Sequence, residues 1–146
     1  MKLCAVIPVY NHGAAIGAVA QAVRAHGLPV LLVDDGSEPG CAAVLDALHA
    51  AEPADTLLVR LSENQGKGGA MMAGMREASR LGYTHALQID ADGQHDTADV
   101  PRFVQLAREN PTTLICGTPI YDASVPKGRL YGRYITHVWV WINTLS

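Results

Sequence analysis

The chain has 146 residues, of which 49% are hydrophobic and 17% are charged. This length and composition predict one domain with a sizeable core and exclude a disordered chain. Eleven Lys and Arg against 14 Asp and Glu give a net charge of −3 with no basic block, which excludes a nucleic-acid binder that relies on charge. The three cysteines are far apart and form no C-x-x-C pair, which predicts free thiols in a reducing compartment.

Short apolar segments alternate with segments of helical period along most of the chain. Strands are predicted at residues 3–9, 30–33, 56–61, 84–89 and 113–116. Apolar residues at helical spacing predict four helices between them, around residues 16–23, 44–48, 71–78 and 100–107. This β-α-β-α-β-α-β-α-β order predicts an α/β fold with an open, mostly parallel sheet and helices on both faces.

Polar segments follow the predicted strands at the points where those strands end. They are residues 10–11, 34–35, 64–67 and 90–95. In open parallel sheets, ligands bind in the crevice outside the carboxyl ends of the strands. The sequence therefore predicts that these four segments line one cleft.

The segment Asp90-Ala91-Asp92 predicts a metal site. Two carboxylates at positions i and i+2, just after a buried strand, can both reach a cation, and Gln94 adds a neutral oxygen nearby. Mg²⁺ and Mn²⁺ accept few protein oxygens and complete their shell with water and phosphate. The structural alternative is a turn at Asp92-Gly93 followed by a helix cap at Asp96.

Asp34 and Asp35 end the second predicted strand, where an acidic residue is placed to accept from ribose hydroxyls or a base N–H. An Asx turn over residues 35–37 is the structural alternative, and both roles are compatible. Residues 8–13, after the first strand, lack the Gly-x-Gly-x-x-Gly fingerprint, which argues against NAD and FAD.

Residues 64–69 (NQGKGG) open a predicted helix with small residues and Lys67. Free backbone N–H groups and a lysine are typical of an anion site, and a glycine-rich helix entry is the alternative. Arg129 and Arg133 are candidates for a phosphate contact, with a solvated loop as the alternative.

Residues 6–11, 33–37, 64–68 and 90–95 resemble, in this order, the motifs of the family 2 glycosyltransferases of GT-A fold. The nearest branch is that of the polyprenyl-phosphate (dolichyl-phosphate) mannose synthases. The resemblance implies an inverting sugar transfer from a UDP- or GDP-sugar to an acceptor such as a polyprenyl phosphate or a glycan, with Mn²⁺ or Mg²⁺ as cofactor.

The resemblance also implies residue roles. The donor-binding residues would be Pro8, Tyr10, Asn11, Asp34, Asp35, Gly66, Lys67, Asp90, Ala91 and Asp92. The metal ligands would be Asp90, Asp92 and Gln94, and Asp92 is the catalytic candidate. A module that binds the nucleotide-sugar without transfer remains the alternative function. A nucleotidyltransferase is disfavoured, because no glycine- and arginine-rich loop follows the first strand.

The resemblance divides the chain into a nucleotide-sugar-binding core, residues 1–118, and an incomplete acceptor-side region, residues 119–146. We expect the general base beyond Ser146. Residues 134–145 are apolar almost all round, which predicts self-association or packing against a further segment, with an interfacial membrane helix as the alternative. The expected location is cytoplasmic, peripheral to the inner face of the membrane.

Overall fold

A computed structural model of the chain describes residues 1–117. Its strands are β1 (Leu3–Val9), β2 (Val30–Asp34), β3 (Thr56–Arg60) and β4 (His85–Gln88). Its helices are α1 (Gly13–Ala25), α2 (Pro39–Ala51), α3 (Gly66–Arg80) and α4 (Val100–Glu109), with a 3₁₀ turn at Thr97–Asp99. The strands pair in parallel in the order β3-β2-β1-β4, which confirms the predicted α/β fold. None of these helices is long and apolar enough to cross a bilayer.

Strand β1 is buried on both faces of the sheet, because its alternate side chains enter two separate cores. Ala5, Ile7 and Val9 pack with apolar residues of α1, α2 and α4. Cys4 and Val6 pack with apolar residues of α3 on the opposite face. A nearly continuous apolar strand is what a parallel sheet covered by helices on both faces requires.

The predicted fifth strand, residues 113–116, is wrong. Residues 114–117 form no regular element, and Leu114 is 87% exposed. A strand needs a neighbour to satisfy its backbone groups, and β4 pairs with β1 alone among the described strands. Met1–Ile115 form one compact unit, and a second unit begins at Cys116, of which the structure describes two residues.

The cysteines are free thiols, as expected from their spacing. Cys4 and Cys41 are buried and Cys116 is exposed. Burial raises the pKa of the Cys4 thiol to about 11, against a smaller opposing effect of Lys2. Cys4 therefore acts as a small apolar core residue rather than as a nucleophile.

Helix α3 lies close to the sheet because Gly74 has no side chain. A Cβ atom at this position would lie 2.5 Å from Cγ1 of Val6 and 2.8 Å from Cγ2 of Val33. Both valines are fully buried, so neither can move away without disturbing the core.

Replacing Gly74 by alanine should destabilise the fold by about 1–3 kcal/mol, the usual cost of overpacking a core. The free energy of unfolding in urea, followed by circular dichroism, measures this effect. Gly40→Ala in α2 is the matched control, because a Cβ there meets nothing within 4 Å. Equal stability of the Gly74 variant and the wild type would contradict this packing.

Asp34 ties the ends of β2 and β3 to α2. It is 1% exposed and stands opposite Arg60 in the parallel register. Arg60 donates from Nε to Asp34 Oδ2 at 2.8 Å and from Nη2 to Asp46 Oδ1 at 3.0 Å. The other Asp34 oxygen, Oδ1, accepts the backbone N–H of Ser37 at 2.9 Å. Both carboxylate oxygens therefore hold the segment that follows β2.

Replacing Asp34 by asparagine keeps the shape but removes the charged acceptor of Arg60. We expect a loss of about 1–2 kcal/mol in unfolding free energy, reduced from the full value of a charged hydrogen bond because Arg60 is partly exposed. The control is Asp46→Asn, which removes the other, more exposed carboxylate from the same arginine. A loss no larger than that of the control would refute the anchoring role of Asp34.

Candidate functional site

The strand order places a cleft beside β1. The chain runs outward from β1 through β2 to β3 and then returns to the other side of β1 as β4. A crevice forms at such a switch point, outside the carboxyl ends of the strands. The cleft has a volume of about 330 Å³ and is lined by Pro8, Val9, Tyr10, His12, Asp35, Asn64, Gly66, Lys67, Asp90, Ala91 and Asp92.

All of the predicted donor-binding and metal-binding residues except Asn11, Asp34 and Gln94 line this cleft. Asn11 instead joins two loops, since its N–H donates to Ser37 Oγ and its Oδ1 accepts the N–H of Glu38. Both oxygens of Asp34 are engaged in the anchor described above. The roles predicted for these three residues in ligand binding stay predictions.

Asp35 fixes the segment after β2 against the segment that opens α3. Its side chain is nearly buried, and its Oδ1 accepts the backbone N–H of Gln65 at 2.7 Å. Gly36 follows with a φ of +70°, and a Cβ there would lie 2.7 Å from the backbone N of Asn64. Only glycine suits both the conformation and the contact, so this crossing of two loops shapes one wall of the cleft.

Lys67 reaches across the cleft to Asp90. Its Nζ lies 2.7 Å from Oδ1 and 2.8 Å from Oδ2 of that carboxylate. His95 Nε2 lies 3.5 Å from Asp90 Oδ2, and Gln88 Nε2 lies 3.5 Å from Oδ1. Burial favours the neutral form of Asp90, but the hydrogen bond and charge of Lys67, with His95 and Gln88, outweigh it. The pKa of Asp90 therefore lies below its usual value.

Asp92 is exposed at the rim of the cleft. Its Oδ1 accepts the backbone N–H of Gln94 at 3.0 Å, the turn that the structural alternative predicted. Asp96 accepts the N–H of Ala98 at 2.9 Å and caps the 3₁₀ turn, also as that alternative predicted. The turn uses one carboxylate oxygen of Asp92 and presents this side chain to the cleft beside Asp90.

The carboxylate oxygens of the cleft suit a hard divalent cation that binds few protein ligands. Residues 1–117 contain no group of three or more His, Cys, Asp or Glu arranged to hold a metal. A pair of carboxylates matches the needs of Mg²⁺ and Mn²⁺, which keep several waters and bind substrate phosphates. Asp90 and Asp92 therefore fit a metal that the ligand helps to coordinate.

The ionised groups of the cleft are three carboxylates (Asp35, Asp90 and Asp92) and one ammonium (Lys67), a formal charge of −2. Such a cleft attracts a cation. In the absence of a bound cation, it repels an anion. It can therefore bind a divalent cation first and then an anionic group beside it.

Sequence reasoning missed three residues of this region. Val9 and His12 lie close to Tyr10 at the end of β1, so their positions beside a predicted residue were a usable signal. Arg60 pairs with Asp34 at the ends of β2 and β3. The only sign of this contact in the sequence was that the two residues lie at the ends of consecutive predicted strands. Arg129, Arg133 and residues 134–145 lie outside the described part of the chain.

A solved structure resembles this fold. It is the mannosyltransferase PcManGT from Pyrobaculum calidifontis in complex with GDP-Man and Mn²⁺, with a TM-score of 0.54 and 23% sequence identity. The match covers 62% of this chain and 27% of that one. At this identity the likeness shows the fold, which is an α/β fold of GT-A type.

Curated relatives match a larger share of the chain. Polyprenol monophosphomannose synthase of Mycolicibacterium smegmatis is 32% identical over 102 residues, 68% of this chain and 38% of that relative. Undecaprenyl-phosphate mannosyltransferase of Micrococcus luteus is 33% identical over 112 residues, 74% of this chain and 45% of that relative. The chain thus spans less than half the length of these two relatives.

The family model described as Glycosyl transferase family 2 matches residues 4–142, nearly the whole chain. The match includes β1 from Cys4 onward, the other three strands, the cleft and both carboxylates of the Asp90-Ala91-Asp92 segment. The chain belongs to glycosyl transferase family 2.

Proposed function

We propose that this chain supplies the donor-binding part of an inverting, metal-dependent glycosyltransferase. The donor is a nucleotide-diphosphate sugar, and the acceptor is a polyprenyl phosphate. The proposal includes the cytoplasmic location expected from the sequence, at the inner face of the membrane.

The charge of the cleft is the observation that carries the proposal. Three carboxylates and one lysine line a cavity at the switch point of the sheet, in a family that transfers sugars. A diphosphate carries negative charge and would be repelled by these carboxylates alone. The same carboxylates favour binding of the diphosphate when a divalent cation lies between them and the diphosphate. Paired acidic groups in the donor cleft thus support metal-dependent binding of a nucleotide-diphosphate sugar.

Asp90 and Asp92 would hold the cation, with the Gln94 side chain as a third candidate ligand. When bound, the cation supplies Lewis-acid neutralisation of the charge that grows on the departing diphosphate. The hydrogen bond from Gln94 N–H to Asp92 Oδ1 orients the Asp92 side chain for this role. This bond brings no positive charge that would compete with the cation.

Asp35 and Tyr10 would bind the nucleoside. Asp35 is held by Gln65 N–H through Oδ1, and its second oxygen is available to accept from a ribose hydroxyl or a base N–H. Tyr10 is 49% exposed and lines the same cleft together with Pro8, so it offers an apolar surface for the base. This assigns the nucleoside to the β1 and β2 side of the cleft and the diphosphate to the β4 side.

The relatives support a polyprenyl-phosphate acceptor. The names of the two curated relatives above both combine a polyprenyl phosphate with mannose. The structural neighbour is described in complex with GDP-Man and Mn²⁺. In the proposed reaction an acceptor phosphate oxygen bonds to the anomeric carbon as the bond to the donor diphosphate breaks, with inversion. An oxygen that is already anionic needs little help from a general base.

Donor binding without transfer is the second candidate function. It is compatible with the described cleft, since we assign all three of its carboxylates to the donor and its metal. Release of GDP or UDP on addition of polyprenyl phosphate would distinguish transfer from binding alone.

A thermal-shift panel tests the proposal. UDP-, GDP- and CDP-sugars with Mn²⁺ should raise the melting temperature of the chain, and one base should be preferred.

Asp92→Ala should abolish the Mn²⁺-dependent part of that shift and of the affinity measured by calorimetry, because it removes an exposed ligand of the cation. The fold should stay intact, since Asp92 is exposed and contributes little to the core.

Asp99→Ala is the matched control for this variant, because it removes another exposed carboxylate a short distance along the chain. We expect the control to bind as the wild type does. An unchanged Mn²⁺-dependent affinity of Asp92→Ala would remove Asp92 from the site. No Mn²⁺-dependent shift with any nucleotide-sugar would overturn the proposed function.

Asp35→Asn should weaken nucleotide binding by about 1.5–3 kcal/mol, the value of a hydrogen bond to a charged group. Titration calorimetry with the preferred nucleotide at saturating Mn²⁺ measures the loss. Asp55→Asn, at the opposite edge of the sheet before β3, serves as the charge-matched control. If Asp35→Asn binds as tightly as this control, the nucleoside lies elsewhere.

A further inference from the structure

Lys67 forms an ion pair with Asp90, one of the two carboxylates that the proposed metal would bind. Its Nζ contacts both oxygens of Asp90, at 2.7 and 2.8 Å, so this ion pair covers the face of Asp90 toward the cleft. The oxygens of Asp92 carry no such contact with an ammonium in the described part of the chain, and Asp92 accepts one backbone N–H. A cation shared by the two carboxylates therefore meets Lys67 as its competitor at Asp90.

The ion pair is one that the protein can give up at little cost. The Lys67 side chain is 56% exposed and the Asp90 side chain is 30% exposed, so water screens their attraction. An exposed pair of this kind shifts an equilibrium by about fivefold at most. Lysine also carries its charge on a flexible four-carbon stem with three rotatable donors, which lets the ammonium change partner without movement of the backbone.

A second partner for Lys67 would arrive with the donor. Lys67 lies in the first turn of α3, where backbone N–H groups lack helical acceptors and favour anions. The proposed diphosphate would lie between this helix end and the cation at Asp90 and Asp92. Its anionic oxygens would accept charge-assisted hydrogen bonds from the ammonium once the cation is bound at Asp90.

We infer that Lys67 is an exchangeable counter-ion, which neutralises Asp90 in the free cleft and passes to the donor diphosphate when a divalent cation takes its place. This role rests on the proposed function and deepens it, because it couples the binding of the metal to the binding of the donor. The metal releases Lys67 for the diphosphate, and the diphosphate removes Lys67 from the carboxylate that the metal uses. By linkage, each ligand then raises the affinity of the other.

The exchange predicts effects of opposite sign from one substitution. Lys67→Met removes the competitor at Asp90 and should tighten binding of Mn²⁺ alone by about two- to fivefold. The same variant lacks the ammonium for the diphosphate and should weaken binding of GDP or UDP at saturating Mn²⁺ by about tenfold. Lys67→Arg keeps the positive charge and should retain most of the wild-type affinity for the nucleotide at saturating Mn²⁺.

Two titrations measure these effects on the 146-residue chain. Free Mn²⁺ is followed by its electron paramagnetic resonance signal without nucleotide, and GDP and UDP are titrated by calorimetry at saturating Mn²⁺. Arg76→Met is the matched control, because it removes one positive charge from the same helix roughly 14 Å further along its axis. We expect this control to leave both affinities unchanged.

The outcomes separate the inference from the function on which it rests. Tighter Mn²⁺ and weaker nucleotide binding in Lys67→Met support the exchange. Weakening of both, or an unchanged Mn²⁺ affinity, would overturn it while the proposed function stands, because a structural or purely phosphate-binding lysine gives those results. If the wild-type chain binds neither Mn²⁺ nor a nucleotide, the proposed function fails and the exchange fails with it.

Discussion

The hydrogen bond from Gln65 N–H to the Asp35 carboxylate joins the two walls on which the candidate site depends. At 2.7 Å, and with Asp35 nearly buried, it fixes the segment after β2 to the segment that opens α3. The close backbone contact at Gly36 reinforces the same crossing. Because this contact sets where α3 begins, it also sets where Lys67 stands, and Lys67 can then reach Asp90 beyond β1. The strand ends that line the cleft are thereby joined by polar contacts as well as by the sheet.

Consecutive residues at the end of β2 serve different purposes because side chains alternate along a strand. Asp34 turns toward α2 and Arg60, and its negative charge is neutralised inside the fold. Asp35 turns toward the cleft and keeps an oxygen for a ligand. Asp34 thus serves the fold alone in this arrangement, whereas Asp35 both joins the two walls and, in the proposed function, binds the donor.

The electrostatics of the cleft connect the fold to the chemistry of the family. An acidic cavity is an unsuitable receptor for a diphosphate until a cation enters, so in the proposed function the metal takes part in recognition of the donor. Lys67 supplies a fraction of the needed positive charge from within the protein, and it does so from a flexible and exposed position. A fixed, buried lysine would hold Asp90 more firmly and would hinder the cation. The partial exposure of this pair is therefore consistent with a site that must change partners.

The sequence by itself determined the four strands, the four helices between and after them, and the segments that line the cleft. These features depend on local apolar periodicity and on polar residues at strand ends, which neighbours in the chain can specify. Only the tertiary structure decided that β1 lies between β2 and β4, that Asp34 faces Arg60 across 26 residues, and that Lys67 faces Asp90 across 23 residues. It also decided that residues 113–116 form no strand, although their apolar run is of the right kind. Partners of this sort are set by sheet register and by the paths of loops, so a pattern that looks only along the chain cannot determine them.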